Sequence, residues 1–118
     1  MFKILILDDN REILDVMSFV LTRKKMEVVA IHDPRKLTHC IADYKPDLLL
    51  MDIALGGFDG RDLCRMIKGD PEEYHFPVVL FSAQHYSEES IEECRADAVI
   101  DKPFALQSLY NTMNKFLH

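Results

Sequence analysis

PDLLLMD, the stretch Pro46–Asp52, places four consecutive apolar residues directly before a carboxylate. A short unbroken apolar run, bounded here by Pro46 and by Gly56-Gly57, is typical of a strand that is buried on both faces of a parallel sheet. Asp52 then comes at the carboxyl end of that strand, which is the edge where open α/β sheets bind their ligands. Because Asp is also common where a strand simply turns, this stretch alone leaves both interpretations open.

The loop after this strand is rich in glycine. Residues 54–60 contain three of the four glycines in the chain. Such a concentration predicts a backbone that needs positive φ angles or a close approach to neighbouring backbone.

Four other segments repeat the pattern of a short β-rich apolar run. They are Lys3–Leu7, Glu27–Ile31, Pro77–Ser82 and Ala98–Ile100. Between the strands, apolar residues recur at helical spacing, most clearly in Ile13–Leu21 and Leu106–Leu117. Since every connection between parallel strands needs a crossover, the alternation predicts an α/β fold with a five-stranded parallel sheet, doubly wound with five helices.

Polar residues mark where the helices should begin. Asp9 is a candidate cap for the first helix, and Asp33-Pro34 predicts a cap followed by proline at the first position of the second helix. Asp59 and Ser87 are expected to cap the third and fourth helices. Ala105 precedes the last helix and offers no capping side chain.

Composition excludes several classes of protein. The chain has 118 residues and a net charge of −6, which fits one domain over residues 1–118 and disfavours binding to nucleic acid or to an anionic membrane. No apolar run approaches the roughly 20 residues of a membrane helix, so we expect a cytoplasmic protein. The three cysteines are widely spaced without a CxxC pair, which disfavours zinc.

Four of the predicted strands end in polar side chains that could share one site. Asp8-Asp9, Asp52, Ser82 and Lys102 would meet because the carboxyl ends of parallel strands lie along one edge. Three neighbouring carboxylates repel one another, and Mg²⁺, which prefers oxygen ligands, removes that repulsion. Lysine can pair with an anion, and a hydroxyl can donate to it. Such a set is suited to attack on phosphorus by a carboxylate.

These strand ends belong to four sequence motifs that occur in order. The motifs are Leu7-Asp8-Asp9-Asn10, Met51-Asp52-Ile53 with Gly57-Phe58-Asp59-Gly60, Phe81-Ser82-Ala83, and Asp101-Lys102-Pro103-Phe104. Over its whole length the chain resembles the receiver domain of two-component response regulators. The resemblance implies a flavodoxin-like, CheY-like sheet with strand order 2-1-3-4-5.

The resemblance also implies a phosphoacceptor and a metal site. Asp52 would accept a phosphoryl group from a phosphohistidine on a sensor histidine kinase or a phosphotransfer protein. Asp8, Asp9, Asp52 and the backbone carbonyl of Ala54 would hold Mg²⁺, with Mn²⁺ as an alternative ion. The domain would then be a phosphorelay signalling protein rather than an enzyme, although it would promote its own phosphoryl transfer and autodephosphorylation.

The remaining implied roles concern the phosphoryl group and the signal. Ser82, the backbone amide of Ala83 and Lys102 would bind the phosphoryl oxygens, and the peptide bond before Pro103 would be cis. The family usually carries an aromatic switch residue where this chain has Val99, a small, stiff side chain. We expect the signal to leave through the face of the fourth helix, fifth strand and fifth helix (α4-β5-α5), toward a downstream protein or a dimer partner.

Other functions remain as alternatives. The first is a receiver-like interaction module that is never phosphorylated. The second is an aspartyl-phosphate phosphatase, which would need an acid two residues after Asp52, where the chain has Ala54. A third is a flavin-binding domain, which the acidic loop Asp8-Asp9-Asn10 disfavours because it would repel the flavin phosphate.

Overall fold

The computed structural model describes residues 1–117 and contains seven strands. These are β1 (Lys3–Leu7), β2 (Glu27–Ile31), β3 (Leu48–Asp52), β4 (Ala54–Leu55), β5 (Phe58–Asp59), β6 (Val78–Ser82) and β7 (Ala98–Asp101). Five of them form one parallel sheet in the order β2-β1-β3-β6-β7. The predicted five-stranded fold is therefore confirmed. The strand numbers differ only because an antiparallel hairpin, β4-β5, was not predicted.

Five helices cover the two faces of the sheet. They are α1 (Arg11–Arg23), α2 (Leu37–Tyr44), α3 (Gly60–Lys68), α4 (Glu88–Cys94) and α5 (Leu106–Asn114). Successive residues of β1 point to opposite faces, as a strand requires. Leu5 packs in one cluster with Ile41 of α2, whereas Ile4 packs with Met17 of α1 and Met113 of α5. The sheet thus lies between α2, α3 and α4 on one face and α1 and α5 on the other.

The central position of β3 in the sheet explains why the run Leu48–Met51 is continuously apolar. Every residue of β3 and of β6 is buried, so each strand needs apolar side chains on both faces. Each such side chain contributes roughly 1.5–3 kcal/mol through its removal from water. Polar residues occur in these strands only at their last positions, Asp52 and Ser82, which is where the site lies.

Two details of the predicted helix starts were wrong. Asn10, not Asp9, caps α1: its side-chain oxygen accepts from the Glu12 N–H at 2.9 Å. Asp33 does cap the segment that follows it, but Pro34–Lys36 is a single 3₁₀ turn and α2 begins only at Leu37. Asp59 and Ser87 cap α3 and α4 as predicted, and Ala105, the residue before the start of α5 at Leu106, provides no side-chain cap.

Three residues other than glycine adopt left-handed backbone angles. Lys25, Lys45 and Arg95 have φ of 63°, 54° and 60°. Lys45 and Arg95 end α2 and α4 in the position where glycine is normally preferred. Along residues 1–117, no helix has the length and apolar character needed to span a membrane.

Candidate functional site

The carboxyl edge of the sheet brings together the polar strand ends that the sequence separates. Asp8 follows β1, Asp52 ends β3, Ser82 ends β6, and Lys102 follows β7. The register of the sheet brings Ser82 and Lys102 together. Ser82 pairs with Asp101 in the neighbouring strand, and the Lys102 N–H donates to the Ser82 carbonyl at 2.8 Å.

Lys102 binds both buried carboxylates of this edge. Its Nζ lies 2.9 Å from Asp8 Oδ2 and 2.6 Å from Asp52 Oδ2. Asp8 is fully buried and Asp52 is only 6% exposed, so neither acid has water enough around it to be solvated without a partner. The ammonium of Lys102 is therefore the counter-charge of the site.

Backbone N–H groups fix the orientation of the two acids. The Asn10 N–H donates to Asp8 Oδ1 at 2.9 Å, and the Ala54 N–H donates to Asp52 Oδ1 at 3.0 Å. In each carboxylate one oxygen is thus held by the local backbone, and the other is directed toward Lys102. This arrangement orients both acids before any ligand arrives.

The pKa values of the site reflect burial and pairing. Burial raises the pKa of Asp52 above its ordinary value, against the opposing effect of the Lys102 ammonium and the Ala54 N–H. Burial alone would lower the pKa of Lys102, but the hydrogen bonds to Asp52 and Asp8 outweigh it and raise that pKa. Because burial disfavours the ionised form of Asp52, additional positive charge nearby would stabilise that form.

The acidic side chains at this edge fit a divalent cation. Asp8, Asp9 and Asp52 each have a carboxylate oxygen within 4.8 Å of the others, and Asp9 is exposed to solvent. One ammonium faces three carboxylates, so negative charge is in excess. Oxygen donors in a partly open acidic cluster are the ligands that Mg²⁺ prefers, because it retains several of its waters.

The surroundings of Lys102 limit where its side chain can go. The Lys102–Pro103 peptide bond is cis. Phe104 stacks on Phe81 with ring centroids 5.1 Å apart, and the Lys102 ammonium lies 5.9 Å from the centroid of the Phe81 ring. The Lys102 ammonium therefore lies near the Phe81 ring, which is itself stacked on Phe104.

Ser82 and Val99 lie on the neighbouring strands β6 and β7. Ser82 is buried, and its hydroxyl donates to the carbonyl of Gln84 in the next loop. Ala83 is exposed beside it. Val99 lies half-buried in β7, opposite Leu80.

Of two further features that shape the site, sequence reasoning predicted one and missed the other. A Cβ atom on Gly60 would lie 2.3 Å from the Asp52 carbonyl oxygen, so glycine is required where α3 meets the end of β3. Arg61 binds Asp59 through Nη2–Oδ2 at 2.7 Å, donates to Ser90 Oγ at 3.2 Å, and stacks 4.4 Å from the Tyr86 ring centroid. The clustered glycines predicted a close backbone approach in this loop, whereas no local pattern indicated the contacts of Arg61.

A doubly wound parallel sheet whose carboxyl edge gathers three acids and one lysine defines a CheY-like α/β domain. The model of the response regulator receiver domain matches residues 4–114. The chain therefore belongs to the receiver domain family of two-component response regulators.

Solved structures agree with this assignment. The BeF3-activated N-terminal receiver domain of RstA from Klebsiella pneumoniae is 29% identical, with 97% of each chain covered and a TM-score of 0.86. A putative response regulator from Chloroflexus aurantiacus is 26% identical, covers 98% of this chain and 96% of its own, and gives a TM-score of 0.88. The chemotaxis protein CheY4 of Vibrio cholerae, at 20% identity, covers 99% of both chains with a TM-score of 0.89 and supports the fold.

Proposed function

We propose that residues 1–118 form one receiver domain in which Asp52 accepts a phosphoryl group from a phosphohistidine. The donor is a sensor histidine kinase or a phosphotransfer protein. The observation that carries the proposal is the contact of Lys102 Nζ with both Asp8 and Asp52 at 2.9 and 2.6 Å. This contact supports the proposal because a cation beside Asp52 would be close to a phosphoryl group formed there.

The phosphoryl transfer from histidine to Asp52 needs no further reacting group from this chain. An Asp52 oxygen attacks phosphorus, the P–N bond to histidine breaks, and the acyl phosphate remains on Asp52 while the donor imidazole takes up a proton. Asp8, Asp9, Asp52 and the Ala54 carbonyl would hold Mg²⁺ or Mn²⁺, which supplies charge neutralisation for the phosphoryl group. Hydrolysis of the acyl phosphate by water would reset the domain.

The neighbouring residues have roles that follow from their positions. Lys102 would transfer its hydrogen bonds from the carboxylates to the phosphoryl oxygens. Ser82 and the Ala83 N–H would donate to the same group, which requires the Ser82 hydroxyl to leave the Gln84 carbonyl. Phosphorylation would therefore change the loop between β6 and α4.

The surface next to the site suits a donor protein. A cavity of about 690 Å³ between α1 and α5 includes Lys102 and Ala83 in its lining, together with the apolar side chains of Ile13, Val16 and Leu106. Val16 is 59% exposed and Leu106 is 45% exposed. A donor helix seated in this cavity would bring its histidine to the rim that holds Asp52.

Phosphorylation is tested with acetyl phosphate and Mg²⁺, followed by separation on a phosphate-affinity gel. We expect a hydroxylamine-sensitive phosphate on the parent chain and none on Asp52→Asn. Asp62→Asn is the matched control, because Asp62 is an exposed acid of α3 that pairs with Arg65 on the surface. If the parent chain stays unmodified and beryllofluoride leaves the amide resonances of Asp52 and Ser82 unchanged, the alternative of an unphosphorylated interaction module replaces this proposal.

A further inference from the structure

A groove lies on the side of the sheet where the signal is expected to leave. It has a volume of about 400 Å³ between the loop after β6, helix α4 and strand β7. Three half-buried apolar side chains line it and pack on the core, namely Tyr86, Ile91 and Val99. We refer to this feature, with the carboxylates that border it, as the acidic groove.

Carboxylates surround the apolar floor of the acidic groove. Glu88 and Glu92 of α4 and Asp101 of β7 line it and are exposed. Within the described part of the chain, none of these three acids forms an ion pair. Their charges are therefore free to act on an approaching molecule.

The segment that forms most of the surrounding face has a net negative charge. Residues 87–114 contain six acidic residues and two basic ones, Arg95 and Lys102, and Lys102 is already paired with Asp8 and Asp52. A two-fold dimer through this face would place equal acidic surfaces against each other, which is unfavourable. Nucleic acid would be repelled for the same reason.

Val99 contributes a small side chain to the floor of the acidic groove. Val99 lines the groove together with Tyr86 and Ile91, and an aromatic ring at position 99 would take up more of this space than valine does. An apolar floor that can seat one side chain, inside a rim of unpaired carboxylates, matches a segment that presents an apolar anchor flanked by lysines or arginines.

We propose that the acidic groove binds a basic segment of a downstream protein, with one apolar side chain of that segment seated against Val99. The inference rests on the proposed function, because phosphorylation of Asp52 supplies the signal that this contact would read. It defines the partner by chemistry: a basic protein segment, and neither a second copy of this chain nor a nucleic acid.

The acidic groove is physically connected to the phosphoacceptor site. Ser82 lines it, and the Ser82 hydroxyl bonds to the carbonyl of Gln84, which also lines it. On the other side, Tyr86 stacks on Arg61, which is bound to Asp59 in the loop after Asp52. Movement of the Ser82 hydroxyl toward a phosphoryl group would release Gln84 and alter the wall of the groove. Affinity for the basic segment should therefore depend on phosphorylation.

Two synthetic helical peptides with the same leucine and alanine framework test the proposal, one carrying lysines and the other glutamates at the remaining positions. Each is titrated into the ¹⁵N-labelled chain at physiological salt, with and without Mg²⁺ and beryllofluoride. We expect the lysine peptide to shift amides of residues 84–92 and 98–101. We also expect its affinity to change on addition of beryllofluoride, and to exceed that of the glutamate peptide by about tenfold or more.

Matched variants separate the acidic groove from general attraction to an acidic protein. Glu88→Gln combined with Glu92→Gln should weaken the binding of the lysine peptide about fivefold. Glu72→Gln combined with Glu73→Gln removes the same charge from exposed positions in the loop before β6. This control should change the affinity for the lysine peptide less than about twofold. Val99→Phe should weaken the binding of the lysine peptide about tenfold, because the larger side chain would fill the floor of the acidic groove.

Several results would overturn the proposal. They are equal losses in the two charge variants, peptide shifts confined to the cavity between α1 and α5, an affinity that beryllofluoride leaves unchanged, or a beryllofluoride-induced dimer that buries residues 84–92. The same spectra, recorded before peptide is added, test the proposed function separately. If beryllofluoride shifts Asp52 and Ser82 but the peptide does not reach the acidic groove, only this inference fails.

Discussion

Replacement of Gly60 by alanine should damage the site although Gly60 has no functional side chain. The added Cβ would lie 2.3 Å from the Asp52 carbonyl oxygen and 2.9 Å from Ile53 Cα. An ordinary carbon–oxygen contact is about 3.3 Å, so the start of α3 and the end of β3 must separate by about 1 Å. Both sides of the clash are backbone, and no side-chain rotation can relieve it.

The expected cost can be worked from this displacement. The Gly60 N–H donates to the Ile53 carbonyl at 2.7 Å, and the separation weakens that bond as well as the local packing. Overpacking of this kind costs about 3 kcal/mol, which is a drop of about 10 °C in melting temperature for a chain of this size. A shift of about 1 Å in Asp52 should also slow phosphorylation about 100-fold.

Two glycines in the same loop provide controls. A Cβ on Gly57 meets nothing within 4 Å, so Gly57→Ala should be nearly neutral. Gly56 has φ of +67° and open space around it, so Gly56→Ala should cost about 1 kcal/mol through backbone strain without moving Asp52. Melting curves and acetyl phosphate labelling of the three variants provide the measurement. Equal behaviour of Gly60→Ala and Gly57→Ala would refute the reasoning.

Four further substitutions test the site and the helix ends. Because burial raises the pKa of Asp52, its contribution to stability is lost as pH rises through the folded pKa, so Asp52→Asn should be more stable than the parent chain at pH 7 and gain nothing below the unfolded pKa near 4. Urea titrations across that range check the sign, and a variant less stable at pH 7 contradicts it. Lys102→Ala leaves Asp8 and Asp52 without their cation and should cost about 3 kcal/mol in the presence of a chelator, with Mg²⁺ restoring part of the loss. Arg95 has a left-handed φ of 60°, which glycine adopts without strain. Arg95→Gly should therefore raise the free energy of unfolding by about 0.5–1 kcal/mol, as measured in thermal melts. Ala105→Asp supplies the missing cap of α5 and should add about 1 kcal/mol, whereas an unchanged melting temperature would show that this helix end is already satisfied.

The type and order of the main elements could be read from local patterns. Continuous apolar runs identified β3 and β6 because both faces of a central parallel strand are covered by helices. The starts of α3 and α4 followed from the capping side chains of Asp59 and Ser87. Polar residues at the ends of these runs indicated the edge of the site, since burial elsewhere in the strands excludes them.

Local patterns were less reliable where neighbouring residues compete for one role. Asp9 and Asn10 both have the chemistry of a helix cap, and the backbone path after β1 selects Asn10. The 3₁₀ turn at Pro34–Lys36 and the hairpin β4-β5 are short elements whose stability depends on packing against the rest of the fold.

The sequence by itself determined which residue types stand at the strand ends, because alternation of apolar strands and amphipathic helices leaves those ends as the places where polar side chains are tolerated. Only the tertiary structure decided how they meet. Lys102 reaches Asp8 and Asp52 from 94 and 50 residues away along the chain, Gly60 lets α3 approach Asp52, and Val99 lines a groove between α4 and β7. Distances of this kind depend on strand register and helix packing, which are set by contacts between residues far apart in sequence and are therefore invisible to local patterns.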